Sequence, residues 1–354
     1  MNRPPTLGLP LPSLTILGLM ALALGFVACN GSAPLSPAGS LTATTRAGAV
    51  PATKPSPTPY VFTFVTVDKP GTDVNRVTGI NDPQQIAGTH GSGSASDPAV
   101  GYKIGPPYTD SWLRIEYPGA VNTYAMALSN NFLCVGYFLA KSVGNHTLGF
   151  VNDHGLYTSY KSPRTPTGPN TVNELLGVND YETAVGFYTD TSNQNHAYEL
   201  YITEGKFAGL NPTGFSNTEA VGISDRGSVA GFGEHSDGTT HGWMYVNGAY
   251  TDVSYPNAAS TEALAINYQN QVVGEYTNSD GSTHGFIASN LNGPSPLWQS
   301  IDEPNAAGTT VVNSVQDHHV IAGWYVDSAG ATHGFVATLC VSSCGSLRRT
   351  IQSI

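Results

Sequence analysis

The sequence predicts an all-β fold, a six-bladed β-propeller of four-stranded antiparallel blades in which the N-terminal strand completes the last blade. Three observations predict it. Six ten-residue segments share one pattern and recur at nearly constant spacing. A second word, built on His, Gly or Ala, and an aromatic residue, follows the last four of them at a fixed offset. The two ends of the repeated region are complementary, because a lone strand leads it and an unfinished repeat closes it.

The six segments are GINDPQQIAG (79–88), ALSNNFLCVG (127–136), GVNDYETAVG (177–186), GISDRGSVAG (222–231), AINYQNQVVG (265–274) and SVQDHHVIAG (314–323). They close on Gly88, Gly136, Gly186, Gly231, Gly274 and Gly323, at spacings of 48, 50, 45, 43 and 49 residues. Four short strands per repeat fit that period. Each segment joins a small-plus-apolar piece to a β-branched piece through polar turn residues such as Asn81-Asp82 or Asn179-Asp180, which predicts a tight hairpin. A second loop follows, for example Asn278 to Gly281 or Asp327 to Gly330, whose Asx and Gly residues tolerate positive φ.

The third strand opens with HAYE (196–199), HGWM (241–244), HGFI (284–287) or HGFV (333–336), and with VGYK (100–103) and LGFV (148–151) in the first two repeats. In the last four repeats its second residue stands eleven positions beyond the closing glycine, in the first two thirteen. A fourth strand ends at a proline in VDKP (67–70), IEYP (115–118), YKSP (160–163), GLNP (209–212), VSYP (253–256) and IDEP (301–304). Proline donates no ladder hydrogen bond, so it stops the outer strand. Tyr60 to Asp68 is a fourth-type strand with no blade before it, and His333 to Leu339 is a third-type strand with no fourth after it. Docking one on the other closes the ring, whereas an open stack of sheets leaves an unsatisfied ladder at each end.

The words GIND, VG and HGF or HAY at this period resemble the extracellular repeat family called HAF, over Tyr60 to Leu339. The resemblance implies a secreted bacterial repeat protein without a settled activity. Val100 and Leu148 stand where that family has His, so a role needing the imidazole is absent from the first two repeats.

Residues 1–28 read as an export signal, with Arg3 as the basic region and an apolar run from Leu14 to Ala28 that is too short to span a bilayer. Phe26-Val27-Ala28-Cys29 resembles the lipobox of bacterial lipoproteins, with Phe where Leu is usual. The resemblance implies lipidation of Cys29, with ordinary cleavage and a free thiol as the alternative, and Asn30 gives no inner-membrane retention signal. The expected place is the outer membrane or cell surface through a lipid anchor, and otherwise the periplasm or the exterior. Residues 29–59, rich in Ser, Ala, Thr, Pro and Gly, form a tether that cannot bury enough surface to order itself. The propeller spans 60–339, and 340–354 is a tail too short to assign.

Charged residues are 11% of the chain, against a usual share of about 25%, while Gly (40) and Pro (24) are abundant, as many turns require. The net charge of -11 makes nucleic acid and anionic lipid surfaces unsuitable partners. Cys340 and Cys344 are close enough in sequence to pair in an oxidising compartment, across a short and strained loop. Cys134, inside an apolar strand, reads as a small buried hydrophobe.

His196, His241, His284 and His333 fall at equivalent places and cannot share one ion, so they read as structural groups that bond the neighbouring loop or the backbone between blades. The repeated aromatics, Tyr198, Trp243, Phe286 and Phe335 with Tyr137, Phe187, Phe232, Tyr276 and Trp324, belong between blades. Asp317-His318-His319 is the one crowded metal-like word and reads as a polar turn. No GxSxG, HExxH, GxxxxGK or CxxC occurs, so no catalytic residue, metal or cofactor is expected. The sequence thus predicts a non-enzymatic binding propeller for a polysaccharide, a peptide or an envelope protein, with specificity in the variable loops 89–99 and 162–173. The alternative is a propeller enzyme cleaving glycans or lactones, which needs channel-lining ionisable residues that differ between blades. A spacer without a ligand is the third reading.

Overall fold

Each repeat opens with a strand that is small or apolar on both faces, and such a strand is stable only where protein covers it on both sides. The computed structural model, which describes residues 60–140, 146–167 and 171–339, places these strands innermost. The expected signal peptide and tether with Cys29, and the tail with Cys340 and Cys344, lie outside the described residues.

After β1 (Phe62–Val67), four antiparallel sheets follow in chain order. They are β2 (Asn75–Ile80), β3 (Ile86–His90), β4 (Val100–Ile104) and β5 (Leu113–Ile115); β6 (Ala120–Leu128), β7 (Cys134–Ala140), β8 (Thr147–Asp153) and β9 (Leu156–Tyr160); β10 (Asn173–Val178), β11 (Thr183–Thr189), β12 (Asn195–Tyr201) and β13 (Lys206–Gly209); and β14 (Phe215–Ile223), β15 (Val229–His235), β16 (Thr240–Val246) and β17 (Ala249–Val253). The remaining strands are β18 (Ser260–Ile266), β19 (Val272–Thr277), β20 (Thr283–Ser289), β21 (Leu297–Ile301), β22 (Thr309–Val315), β23 (Val320–Val326) and β24 (Thr332–Leu339). Together with β1 they form one eight-stranded sheet.

The sequence led us to expect six separate sheets, and the difference lies in one residue pair. β18 to β21 and β22 to β24 plus β1 are each joined by antiparallel ladders, and a single parallel pair, Thr283 with Thr309, links the two groups. The leading strand β1 lies antiparallel on β24, from Phe62 opposite Leu339 to Val67 opposite Gly334. The Phe64 and Phe335 rings meet edge to face at 5.3 Å. Where a fourth strand was expected to end at proline, each strand stops three residues earlier.

The sheets stand in a ring, a β-propeller. Neighbouring first strands β2, β6, β10, β14, β18 and β22 touch in succession, and β22 touches β2 again. Asn313 donates from Nδ2 to the Val77 carbonyl at 2.9 Å, the Ile80 amide donates to Ser314 Oγ at 3.1 Å, and the Thr332 amide donates to the Asp73 carbonyl at 2.9 Å. These bonds seal the last sheet to the first. Among the described residues no helix is long and apolar enough to cross a membrane.

Glycines set the spacing. A Cβ on Gly88, Gly136, Gly186, Gly231, Gly274 or Gly323 would fall on the backbone carbonyl oxygen of the facing first strand, at Arg76, Tyr124, Glu174, Glu219, Glu262 and Val311 in turn. Opposite each of them the first strand carries a β-bulge, between Val77 and Gly79 and at the five equivalent places. The second residue of the third-strand word approaches the next first strand: a Cβ on Gly242 would lie 2.9 Å from Ala263 Cβ, and one on Gly334 would lie 2.7 Å from Val77 Cγ2.

The core lies between neighbouring sheets. Val67, Val77, Ile86, Tyr102, Val320 and Val336 form one such layer across the closure. Tyr198, Trp243, Phe286 and Phe335 are fully buried, as are Tyr137 and Phe150, each contributing about 1.5–3 kcal/mol for an aromatic of this size. Of the nine repeated aromatics, Phe232 alone is half-buried.

Candidate functional site on the ring axis

The first hairpin of every repeat turns at one end of the axis, and its residues line a cleft of about 80 Å³, enough for a few waters. The lining includes Asp82, Asn130, Asp180, Asp225, Tyr268 and Asp317, one from each turn. They brace one another around the ring. The Asp82 amide donates to Asn130 Oδ1 at 2.8 Å, the Asn130 amide to Asp180 Oδ1 at 2.6 Å, the Asp180 amide to Asp225 Oδ1 at 2.9 Å and the Tyr268 amide to Asp317 Oδ1 at 2.8 Å. Asn130 Nδ2 also donates to Asp82 Oδ2 at 3.0 Å and to Asp180 Oδ2 at 2.7 Å. Burial, with the Asp180, Asp317 and Asp82 carboxylates nearby, raises the Asp225 pKa. The side chains here are committed to holding the turns, which leaves little for a ligand.

Further along the first strands one position of the repeat frame varies around the ring. At the position just before the bulge stand Arg76, Tyr124, Glu174, Glu219, Glu262 and Val311. Arg76, Tyr124, Glu219 and Glu262 are half-buried, whereas Glu174 is buried. Thr147 Oγ1 donates to Glu174 Oε1 at 2.9 Å, and Asn195 Nδ2 donates to Glu219 Oε1 at 2.6 Å, so the third strand of one sheet holds the glutamate of the next. Glu275 faces Glu262 across the β18–β19 ladder and is buried too.

Desolvation dominates the electrostatics of this set. It pushes Glu174 up to about 8 and Glu262 up to about 7. Glu219 is driven well above the carboxylate range by burial and by the charges of Glu174 and Glu262, and Glu275 by burial and by Glu262. Protons are therefore retained here near neutrality, and a protonated carboxyl donates as well as accepts. Arg76, its pKa lowered by burial, lies with its guanidinium 5.2 Å from the centre of the Trp324 ring. Tyr124 stacks on Tyr137 at 4.6 Å. Among the described residues the buried Arg76 Nε and the Tyr137 hydroxyl have no hydrogen-bond partner. Unpartnered donors beside a carboxyl-rich set suit a polar ligand, since leaving them bare costs about 1–3 kcal/mol each.

The four repeated histidines lie away from this set, at the start of their third strands. His333 Nδ1 sits 2.6 Å from Asp68 Oδ2 and Nε2 sits 3.2 Å from Asp327 Oδ2. His284 Nδ1 is 2.6 Å from Asp302 Oδ1, and Nε2 is 2.9 Å from Ser282 Oγ. His196 Nε2 is 2.9 Å from Asp190 Oδ2, and His241 Nδ1 is 2.9 Å from Asp252 Oδ2. Asp317, His318 and His319 do not converge: Asp317 braces the axial turn, His318 donates its amide to Gln316 Oε1 at 2.6 Å, and the His319 ring lies against Tyr60 at 5.9 Å. Cys134 is buried, with its thiol pushed up to about 12.

Sequence reasoning missed Arg76, Tyr124, Glu174, Glu219, Glu262 and Glu275. For all but Glu275, which lies on the second strand β19, the signal was present as an ionisable residue immediately before the small or apolar pair in five of the six first strands.

No family model and no curated protein matches the chain. Solved structures do resemble its fold. A fucose-specific lectin from Aleuria aurantia aligns at 10% identity and a TM-score of 0.45, over 79% of this chain and 95% of that one. AofleA from Arthrobotrys oligospora aligns at 12% identity and a TM-score of 0.47, over 78% and 86%. A putative TolB from Agrobacterium tumefaciens aligns at 11% identity and a TM-score of 0.49, over 76% and 91%.

Proposed function

We propose that the protein is a binding module of the secreted repeat kind: a six-bladed propeller, closed by β1 as the fourth strand of the last blade, tethered to the envelope through a lipid on Cys29. Its ligand enters the axis at Arg76, Tyr124, Glu174, Glu219 and Glu262, and is a glycan end or another small polyhydroxylated group. The observation that carries this reading is that one register position changes around the ring, from Arg76 and Tyr124 in the first two sheets to Glu174, Glu219 and Glu262 in the next three, inside a frame that otherwise repeats. The Arg76 donor and the run of three carboxyls, with the Trp324 and Tyr124 rings beside them, match hydroxyl groups on a partly apolar ring. Six ladders of four, with one stray Thr283–Thr309 pair between two of them, support the blade count.

Glycan-array screening of the purified protein, followed by calorimetry on the best binder, tests the reading. Glu219→Gln and Arg76→Ala are expected to weaken binding at least tenfold with the fold intact. Silence across glycan arrays, or unchanged affinity in both variants, sinks it. Cys29→Ser is expected to move the protein from the membrane to the soluble fraction, and retention in membranes would refute the anchor.

One observation favours a second reading, a glycan-cleaving or lactone-cleaving enzyme. Glu262 and Glu174 titrate near neutrality, as a general acid requires. All four glutamates are raised together, however, which leaves no ionised partner beside the acid, so binding is the better supported. Turnover of chromogenic glycosides or lactones that is lost in Glu262→Gln would reverse that order.

A further inference from the structure

The β14–β17 sheet departs from the repeat at one loop. Four residues beyond the closing glycine the other late repeats carry Asp190, Asn278 and Asp327, and the two aspartates accept the amides of their own loop. Here His235 takes that place, and Asp237 accepts the loop amide instead, from Thr239 at 2.9 Å, with its pKa held down to about 2 chiefly by the Thr239 hydroxyl and amide. His235 is thereby freed from the loop. Its ring stacks on His241 at 4.5 Å, 7° from parallel.

We propose that His235 Nδ1, His241 Nε2 and Asp237 Oδ2 bind a divalent transition-metal ion of the zinc class. Asp237 Oδ2 lies 3.5 Å from His235 Nδ1 and 3.3 Å from His241 Nε2. Bonds of about 2.0–2.1 Å at tetrahedral angles put ligand atoms roughly 3.3–3.4 Å apart, so both edges already have the size of a zinc tetrahedron. The three ligand atoms lie within 4.8 Å of one another.

The opposite ends of the imidazoles are also provided for. Asp252 Oδ2 is 2.9 Å from His241 Nδ1 and 4.0 Å from His235 Nε2. A carboxylate there accepts the Nδ1–H of His241 and leaves that ring's lone pair on the Asp237 side, the arrangement that orients a metal-bound histidine. His235 Nδ1 is buried without a hydrogen-bond partner. Binding tilts the stacked rings so that both in-plane lone pairs meet the ion, and the half-exposed carboxylates leave a fourth position open to water. Among the described residues no other set of three His, Cys, Asp or Glu ligand atoms comes this close together, so the site belongs to this sheet.

The test is calorimetric titration of metal-free, full-length protein with Zn2+, its thiols alkylated so that cysteines do not contribute. Cobalt substitution provides a visible spectrum that reports tetrahedral geometry. Wild type is expected to bind one equivalent. His235→Asn, which restores the loop residue of Asn278, and Asp237→Ala are expected to lose at least a hundredfold in affinity while keeping the circular dichroism and melting temperature of the metal-free protein. Asp252→Asn should lose about tenfold through the histidine it orients, and His284→Ala nothing. Absence of saturable binding by wild type overturns the proposal, and so does undiminished binding by His235→Asn and Asp237→Ala.

Discussion

Glu174 shows how one buried side chain writes a pH dependence into the whole fold. Its carboxyl is 3% exposed, and its folded pKa stands at about 8 against 4.5 for an ordinary glutamate. Because the folded value is raised, its contribution is complete below the unfolded pKa and is lost as pH climbs through the folded one. The melting temperature is therefore expected to fall between pH 5 and pH 9, and Glu174→Gln to flatten that slope. The difference is bounded at roughly 5 kcal/mol for a shift of this size. A variant whose melting curve keeps the wild-type pH slope refutes the assignment. Two glycines separate backbone strain from collision. Gly227 holds φ of 73° with nothing near its missing Cβ, so Gly227→Ala is expected to cost about 1 kcal/mol. Gly186→Ala drives a methyl into the Glu174 carbonyl and is expected to cost about 2–3 kcal/mol. Denaturant unfolding that ranks the two the other way would contradict the packing described.

At the scale of elements, the hairpin, the Asx-Gly loop and the third strand were legible because each is fixed by local chemistry. Gly281 and Gly330 take φ of 87° and 86°, as their loops demand. The bulges were not legible. One extra residue, such as Thr78 or Asn313, leaves an apolar run looking unbroken, and its use emerges only when Thr78 Oγ1 donates to the Ala125 carbonyl at 2.7 Å on the neighbouring strand. The axial glutamates escaped for a related reason: each is a single charge in its own repeat, and only the ring brings them together. Nor could His235 be read as more than an irregular loop residue, since its distances to Asp237, His241 and Asp252 depend on three strands. The leading strand was visible, and it makes an element-scale prediction. Removing residues 60–68 bares the β24 ladder and should leave a protein that aggregates or melts at least 10 °C lower, as loss of several kcal/mol implies. A synthetic peptide of that segment should restore it. A truncated chain as stable as the parent would show that β1 closes nothing.

Across the whole molecule, cohesion is distributed evenly and the ionisable first-strand residues are not. Every pair of neighbouring sheets shares a similar apolar layer, as in Ala87, Ile115, Ala125 and Phe150 or in Ala230, Val253, Ala263 and Phe286. The scaffold therefore follows from any one repeat. The axis follows from none of them, because Arg76, Tyr124 and the three glutamates come from five different repeats.

The register of β1 on β24 joins residues some 270 positions apart, with Val67 opposite Gly334. A polypeptide is made and threaded from its amino terminus, so the strand that emerges earliest has to wait for the one that emerges last. Until then its ladder is unsatisfied, and the late, long-range closure is the slow entropic step of folding. The ring can therefore latch only after its final strand has been made.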